Sequence, residues 1–345
     1  MTDAQLPSQP SRRGVLVLAT GLLGTAAVRA RAQGADWKPG RPINLIVPWA
    51  AGGATDQVTR ISASVLEKPL GQTIVIINQP GASGAIGTNS ALSAARDGYT
   101  WTAGAVQDLG AYETLGTAKT RLSDWHLYLS VANLPVLSVK ADAPYRSANE
   151  LIAAMAAHPG KITVATAGVT SSGHMAIDML AKAAKVTYRL VTYDGGSPAV
   201  LATVSGEADA TTQLATEQAD MIRGKLLRPL CTISDKKLEL DGYGTIPPLS
   251  DTLPGFTAPD GYFGIFIPNG VPDEVIATMD RVWSTTIANS DLLRKFANTH
   301  GALFAPLEEA AAQKAAFPAA QANAWMLFNN GQAKVSPASV GIPAI

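Results

Sequence analysis

Ile43-Asn44-Leu45-Ile46-Val47-Pro48-Trp49-Ala50-Ala51-Gly52-Gly53-Ala54-Thr55-Asp56 is the stretch on which the reading of the fold turns. Ile43–Val47 is an apolar run of the kind that forms a buried strand. Pro48 has no N–H to donate and ends the ladder. Residues 51–54 carry almost no side chain, so another molecule can come close to the backbone. Thr55 and Asp56 suit a helix start, and Val58, Ile61 and Val65 recur at helical spacing, carrying the helix to about Lys68. The free N–H groups of such a start form an anion site. The same pattern also serves as an ordinary strand–helix turn in any α/β protein. It is not a nucleotide loop, because neither Gly-x-x-x-x-Gly-Lys-Ser/Thr nor Gly-x-Gly-x-x-Gly occurs in it.

Working outward, residues 73–77 form a second apolar strand that runs into Asn78-Gln79-Pro80-Gly81-Ala82-Ser83-Gly84, another small-residue loop. A helix over about 88–95 ends at Asp97-Gly98, and residues 99–103 make a third strand, leaving Gln107 and Asp108 at the start of the next loop. Three strand–loop–helix units in a row predict a mostly parallel sheet with right-handed crossovers. Further along, residues 136–139 are a strand, and the capping box Ser147-Ala148-Asn149-Glu150 opens a helix over 148–157. Residues 162–165 lead through Thr166-Ala167-Gly168-Val169-Thr170-Ser171-Ser172-Gly173-His174 to a helix over about 175–184. Residues 188–191 deliver Thr192-Tyr193-Asp194-Gly195-Gly196-Ser197-Pro198 to another helix, and Gly206-Glu207-Ala208-Asp209-Ala210 turns into a short strand. Pro247, Pro248, Pro254 and Pro259 mark the loop-rich exit from a second lobe. Beyond it, residues 262–267 form a strand, and Val275, Met279, Val282 and Ile287 an apolar stripe.

A chain of 345 residues with 47% hydrophobic and 16% charged side chains suits two well-packed domains. Its zero formal charge predicts no attraction to nucleic acid. Ser11-Arg12-Arg13-Gly14-Val15-Leu16 is a twin-arginine pattern, followed by an apolar stretch too short to span a bilayer comfortably and by Ala30-Arg31-Ala32, a small-x-small cleavage signal. Residues 1–32 are therefore read as an export signal peptide of twin-arginine type, and the mature protein as periplasmic. A single cysteine, Cys231, allows no internal disulfide and sits in an apolar run that predicts a buried, inert thiol. His126, His158, His174 and His300 show no metal-ligand spacing. Gly81-Ala82-Ser83-Gly84-Ala85 fails the Gly-x-Ser-x-Gly elbow at its last position. The chain is expected to be non-catalytic, with no cofactor and no metal. A periplasmic ester hydrolase with a scattered Ser–His–Asp triad and a receptor feeding a sensor kinase remain as alternatives.

What repeats is a loop rich in Gly, Ala, Ser and Thr at a strand's C-terminal end, the edge at which open α/β sheets bind ligands. Two lobes facing each other across such edges enclose a cleft full of N–H and hydroxyl donors, which suits a carboxylate. Each hydrogen bond to a charged group is worth roughly 1.5–3 kcal/mol. Three or four, after ordering costs, approach the ~8 kcal/mol of micromolar binding.

These residues resemble one family along nearly the whole mature chain: the periplasmic solute receptors of tripartite tricarboxylate transporters, the TctC-like or Bug proteins. Pro48-Trp49-Ala50-Ala51-Gly52-Gly53-Ala54-Thr55-Asp56 is similar to the family's Pro-aromatic-x-Ala-Gly-Gly-x-x-Asp loop. Asn78-Gln79-Pro80-Gly81-Ala82-Ser83-Gly84 resembles its Asn-x-Pro-Gly-Ala-Gly-Gly, with Ser83 in place of glycine. Asp97-Gly98-Tyr99-Thr100, Gly173-His174-Met175-Ala176, Tyr193-Asp194-Gly195-Gly196-Ser197-Pro198-Ala199, Gly206-Glu207-Ala208-Asp209 and Pro268-Asn269-Gly270-Val271-Pro272 follow in the family's order. The resemblance implies a two-lobed Venus flytrap, each lobe a mostly parallel sheet flanked by helices. Lobe 1 takes residues 36–133 with 260–345, and lobe 2 takes 134–259. It implies a monomer that closes on a small organic acid and hands it to membrane permease subunits. Carried onto this chain, Trp49, Ala51, Gly52, Thr55, Asp56, Ala82 and Ser83 form the first wall, with Gln107 at its edge. Thr166, Ser171, Ser172, His174, Tyr193 and Asp209 form the second. Asp56 has a second reading, as the residue that steadies its own helix start, and His174 one as a helix cap. Gln107 and Asp108 replace the Ser/Thr-type residues expected there, and an acidic group at that place disfavours a second ligand carboxylate unless an amine or water intervenes.

Overall fold

The computed structural model describes residues 1–2 and 36–345, so the signal-peptide reading falls, save for its first two residues, outside the described residues. From residue 36 the chain opens as expected, with β1 (Ile43–Val47), α1 (Ala54–Leu70), β2 (Ile74–Asn78), α2 (Ala85–Ser93), β3 (Thr100–Ala105), α3 (Val106–Leu115) and β4 (Trp125–Asn133). It continues through β5 (Val136–Lys140), α4 (Ala148–Ala157), β6 (Thr163–Ala167), α5 (Ser172–Ala184), β7 (Arg189–Tyr193), α6 (Gly196–Ser205), β8 (Ala210–Thr211), α7 (Ala215–Arg223) and β9 (Leu227–Thr232). A small hairpin, β10 (Leu238–Leu240) and β11 (Gly244–Ile246), precedes β12 (Gly261–Pro268), α8 (Asp273–Val282), α9 (Asp291–His300), β13 (Ala302–Leu307) and α10 (Glu309–Asn329).

Two sheets result. The first has the order β13-β4-β12-β3-β1-β2 and the second β7-β6-β8-β5-β9. β1 is parallel to both β2 and β3, with Leu45 opposite Ile76 on one side and Trp101 on the other. The parallel order holds for these three strands and for β7-β6-β8. Beyond them each sheet is mixed: β12 inserts antiparallel between β3 and β4, and β5 lies antiparallel to β8 and β9. The reason is connectivity. The chain leaves the first sheet from β4, builds the second, and comes back through β12 from the opposite direction.

Alternation along β1 shows why helices cover both faces. Ile43, Leu45 and Val47 pack with Leu66 and Leu70 of α1 and with Val275, Met279 and Val282 of α8. Ile46 points the other way, into Val106, Leu109 and Tyr112 of α3 and the alanines of α10. α10 lies so close to α3 that a Cβ on Gly110 would come within 2.1 Å of the Ala320 carbonyl oxygen. In the second sheet, Leu137, Val139 and Val164 meet Leu151 and Met155 of α4 and Ile177 and Leu180 of α5. Ser147 caps α4 as its sequence predicts, accepting from the Glu150 N–H at 3.2 Å. Gln107 and Asp108 lie in the first turn of α3 rather than in a loop, because β3 runs straight into that helix.

Candidate ligand-binding site

Parallel strands end where their helices begin, so each sheet presents its helix N-termini at one edge. The two edges meet. The starts of α1, α3, α5, α6 and α7 converge on one small cavity lined by Gly53, Ala54, Thr55, Ala105, Gln107, Asp108, Ser171, Ser172, Gly196, Gln213, Leu214 and Glu217, with Trp49, Ala167 and Phe263 completing the wall. It leaves about 30 Å³ for the centres of small molecules, room for about two waters. Trp49 also lines an outer hollow of about 320 Å³ with Gly81, Ser83, Gly168, Thr192, Tyr193 and Asp194.

The walls are held together by bonds from one edge to the other. The Ala50 N–H donates to the Asp194 carbonyl at 3.1 Å, and the Ser197 hydroxyl donates to the Gly52 carbonyl at 2.7 Å. The Ser83 hydroxyl accepts from the Val169 N–H at 3.1 Å, and the Ser83 carbonyl accepts from the Thr170 hydroxyl at 2.9 Å. The Gln107 amide donates to the Ser172 hydroxyl. Asn323 of α10 donates to the Gln107 carbonyl at 3.1 Å and to the Thr170 carbonyl at 2.8 Å. Ala82 and Ser83 are held at φ 48° and 52°, a left-handed backbone that costs L-residues roughly 1–2 kcal/mol each. The bonds from Val169 and Thr170 pin that strained turn against the opposite edge.

Two carboxyl groups dominate the electrostatics of the inner cavity. Asp108 is 2% exposed; burial pushes its carboxyl up to about 8 despite the Trp49 indole N–H, which donates to it at 3.1 Å, and the nearby Thr170 hydroxyl. Its Oδ1 is buried without a partner, as is Oε1 of Gln107. Glu217 reaches from α7 of the second sheet to the start of α1 in the first. It accepts from the Ala54 N–H at 2.8 Å and from the Leu214 N–H at 3.1 Å. With the Gln213 amide turned to satisfy its neighbours, that side chain donates to Glu217 Oε2 at 2.8 Å. Burial nevertheless pushes the Glu217 carboxyl up to about 7, against the two backbone donors. The anion seat expected at the start of α1 thus holds a carboxyl group of the protein itself. Among the described residues, no lysine or arginine lines this cavity.

Of the residues singled out in the sequence, Trp49, Thr55, Gln107, Ser171 and Ser172 come together around the inner cavity, and Trp49, Ser83 and Tyr193 around the outer one. Gly52, Ala51 and Ala82 shape the two loops. The Asp56 carboxylate is committed locally, to the Gly52 N–H at 2.9 Å, Arg60 at 2.9 Å and Asn78 at 3.0 Å. Burial, the largest single influence, pushes its carboxyl up, but these bonds and the Arg60 charge together hold it below the usual carboxylate range. The His174 N–H donates to Ser171, the cap of α5, at 3.3 Å, and its Nδ1 meets the Val169 carbonyl at 2.7 Å. Thr166 lies buried in β6, its hydroxyl on the Ala167 carbonyl at 2.8 Å. The Tyr193 hydroxyl donates to Glu207 at 2.8 Å while its ring faces the outer hollow. Asp209 stands apart: it takes the Thr163 N–H and hydroxyl at 2.7 and 2.6 Å, at the far end of β6 from Ala167, and ties β8 to β6. Glu217 and Gln213 belong to the cavity but not to the sequence reading. Their only local signal is a glutamate three residues into a helix, where it can return to the N-cap N–H.

Among the described residues, no group of three or more His, Cys, Asp or Glu side chains could hold a metal ion, and no helix is long and apolar enough to cross a membrane. Two α/β sheets flanked by helices, with a closed polar cleft between facing helix starts, define a two-lobed solute-binding protein. Residues 58–328 match the model of the tripartite tricarboxylate transporter family receptor, and the chain belongs to that family of periplasmic solute-binding receptors. It is 34% identical over 282 residues to a Pseudomonas sp. (strain P51) protein, "UPF0065 protein in tcbD-tcbE intergenic region", covering 80% of this chain and 83% of that one. The periplasmic binding protein BugD has the same fold, with a TM-score of 0.76 at 23% identity, over 86% of this chain and 99% of BugD. So does the R. palustris protein Rpa4515, solved with adipate, with a TM-score of 0.75 at 23% identity over 86% and 99% of the two chains.

Proposed function

We propose that this receptor captures a small organic acid at the junction of the two sheets and delivers it to the permease subunits of a tripartite tricarboxylate transporter. The observation that carries the reading is the convergence of five helix N-termini on one cavity. Each brings the positive end of a helix dipole, worth about 0.3–1 kcal/mol to an anion and up to ~2 kcal/mol when partly buried, and at α1 the Ala54 N–H is already taken by Glu217. Thr55, Ser171 and Ser172 add hydroxyl donors. Trp49, Ala51, Gly52, Ala82 and Ser83 shape the first wall with Gln107 at its edge, and Tyr193 belongs to the second. A related fold holding adipate supports the choice of an acid.

In this reading, residues 36–133 with 260–345 form one lobe and 134–259 the other, and closure is a hinge motion of the crossing segments near 133–134 and 259–260. Binding is the whole activity and no step of covalent chemistry is invoked. The twin-arginine pattern at Arg12-Arg13 belongs to the export route. A thermal-shift screen of residues 33–345 against mono-, di- and tricarboxylates, aromatic acids and amino acids tests the proposal. A ligand at a hundred times its dissociation constant stabilises by ~2.7 kcal/mol. Stabilisation by an acid is the expected result. No shift with any acid, on protein refolded free of ligand, would remove the carboxylate from the proposal.

A further inference from the structure

We propose that Asp108 and Glu217 make the cleft between the two sheets selective for an acid that carries its own cationic nitrogen, an amino-carboxylate, over a plain dicarboxylate. This rests on the receptor reading above and narrows its substrate class.

The argument begins with donors and acceptors. Among the described residues lining the cavity, two buried oxygens have no hydrogen-bond partner, Oδ1 of Asp108 and Oε1 of Gln107, adjacent on the first turn of α3. With Asp108 ionised, both oxygens are buried acceptors without a hydrogen-bond partner, so this corner then calls for a donor. An ammonium brings three. A carboxylate brings none. Charge points the same way. Among the described residues, Asp108 and Glu217 are the only ionisable side chains lining the cavity, and both are acids. Next outward, Asp56 is neutralised by Arg60, Tyr112 on α3 is pushed up by burial and by the Asp108 charge, and His174 spends Nδ1 on a carbonyl. Glu217 reaches across from α7 to the start of α1 and occupies the Ala54 N–H. A ligand carboxylate seated at the neighbouring helix starts then faces one carboxyl across the cleft and another from α3. A ligand with a second carboxylate adds a like charge to that group, whereas one with an ammonium between them turns both contacts attractive.

Proton uptake offers a signature that affinity alone does not. Burial pushes the Asp108 carboxyl up to about 8 and the Glu217 carboxyl up to about 7, so near neutral pH each is partly protonated. An entering cation expels those protons, and an entering second carboxylate draws more in. Calorimetry at pH 7.5 in two buffers of different ionisation enthalpy reads that sign. The probes are two matched pairs, 5-aminovalerate against adipate and β-alanine against succinate, with putrescine as a cation lacking a carboxylate.

The expected result is at least tenfold tighter binding of the amine-bearing member of each pair, with net proton release. Asp108→Asn and Glu217→Gln, both near-isosteric, should each cut that preference severalfold and lessen the release. Diacids binding as tightly as their amino partners, or a preference untouched in both variants, would overturn the inference and leave the receptor reading intact. Putrescine bound while every acid fails would retire the carboxylate and keep the two acids as readers of a cation. Silence from all five probes would overturn both.

Discussion

Asp108 and Asp56 are both aspartates in the first turn of a helix, and the fold puts them to opposite uses. Asp56 is solvated by the protein: backbone, amide and guanidinium donors surround it, and the Arg60 partner four residues on is visible in the sequence. Asp108 is buried with a single indole donor at hydrogen-bond distance and the Thr170 hydroxyl nearby, and nothing in its sequence neighbours says so. The consequence is a pH dependence of stability. Both Asp108 and Glu217 hold their protons more tightly folded than unfolded, so the stabilisation is complete below pH ~4. It is lost as pH rises towards 7 and 8, at about 1.4 kcal/mol for each pH unit between a group's ordinary and folded values. The ligand-free protein should therefore melt several degrees higher at pH 5.5 than at pH 8.5. In Asp108→Asn that difference should shrink, whereas an equal pH profile in wild type and variant would show that Asp108 ionises freely in the fold. The lone Cys231 gives the simpler case: its apolar neighbours announce burial, and burial pushes its thiol up to about 12.

At the scale of elements, those with contrast in their pattern were legible and those without it were not. β1, β2, β3 and the helices α1, α4 and α5 carry caps, turns or stripes in the sequence. β4 is buried on both faces and shows no alternation, so Trp125-His126-Leu127-Tyr128-Leu129-Ser130-Val131 gives no period to read. α10 is alanine-rich with Pro318 inside it, and its close fit to α3 depends on small residues rather than an apolar stripe. The loop between β1 and α1 supplies a test. Gly52 sits at φ +79°, where its N–H meets Asp56 and its carbonyl accepts from Ser197, and a Cβ there would lie 3.4 Å from the Ser197 hydroxyl. Gly52→Val should cost about 1–2 kcal/mol of backbone strain and disturb the Ser197 contact. Ligand affinity should fall at least tenfold in calorimetry while the far-UV spectrum stays native. Wild-type affinity in this variant would place the ligand away from the loop.

At the scale of the molecule, the two edges come together because glycines on the second one leave room. A Cβ on Gly168 would meet the Ser83 hydroxyl at 2.3 Å, and one on Gly196 would lie 1.8 Å from Glu217 Oε1. Gly196→Ala must push Glu217 off the start of α1. Losing that hydrogen bond costs the closed form about 0.5–1.5 kcal/mol with Glu217 protonated and about 1.5–3 kcal/mol with it ionised. Small-angle scattering of the ligand-free variant should then give a larger radius of gyration than wild type. Identical scattering curves would mean that the Glu217 bridge does not hold the lobes.

The sequence by itself determined the strand–loop–helix units, the cap and stripe of each well-marked helix, the small-residue loops and the family to which they belong. These follow from local sterics, from the period of apolar residues, and from motifs a few residues long. Tertiary structure decided which of those loops meet. Asp209 and Ser172 look alike as polar residues beside strands, yet Ser172 faces the cavity and Asp209 lies at the other end of β6. Glu217 lies 163 residues from the helix start that it caps, and no local pattern spans that distance. Chain direction is set by connectivity and side-chain ionisation by burial. Both are properties of the assembled molecule, which is why the mixed sheets and the two acids pushed up by burial were visible only there.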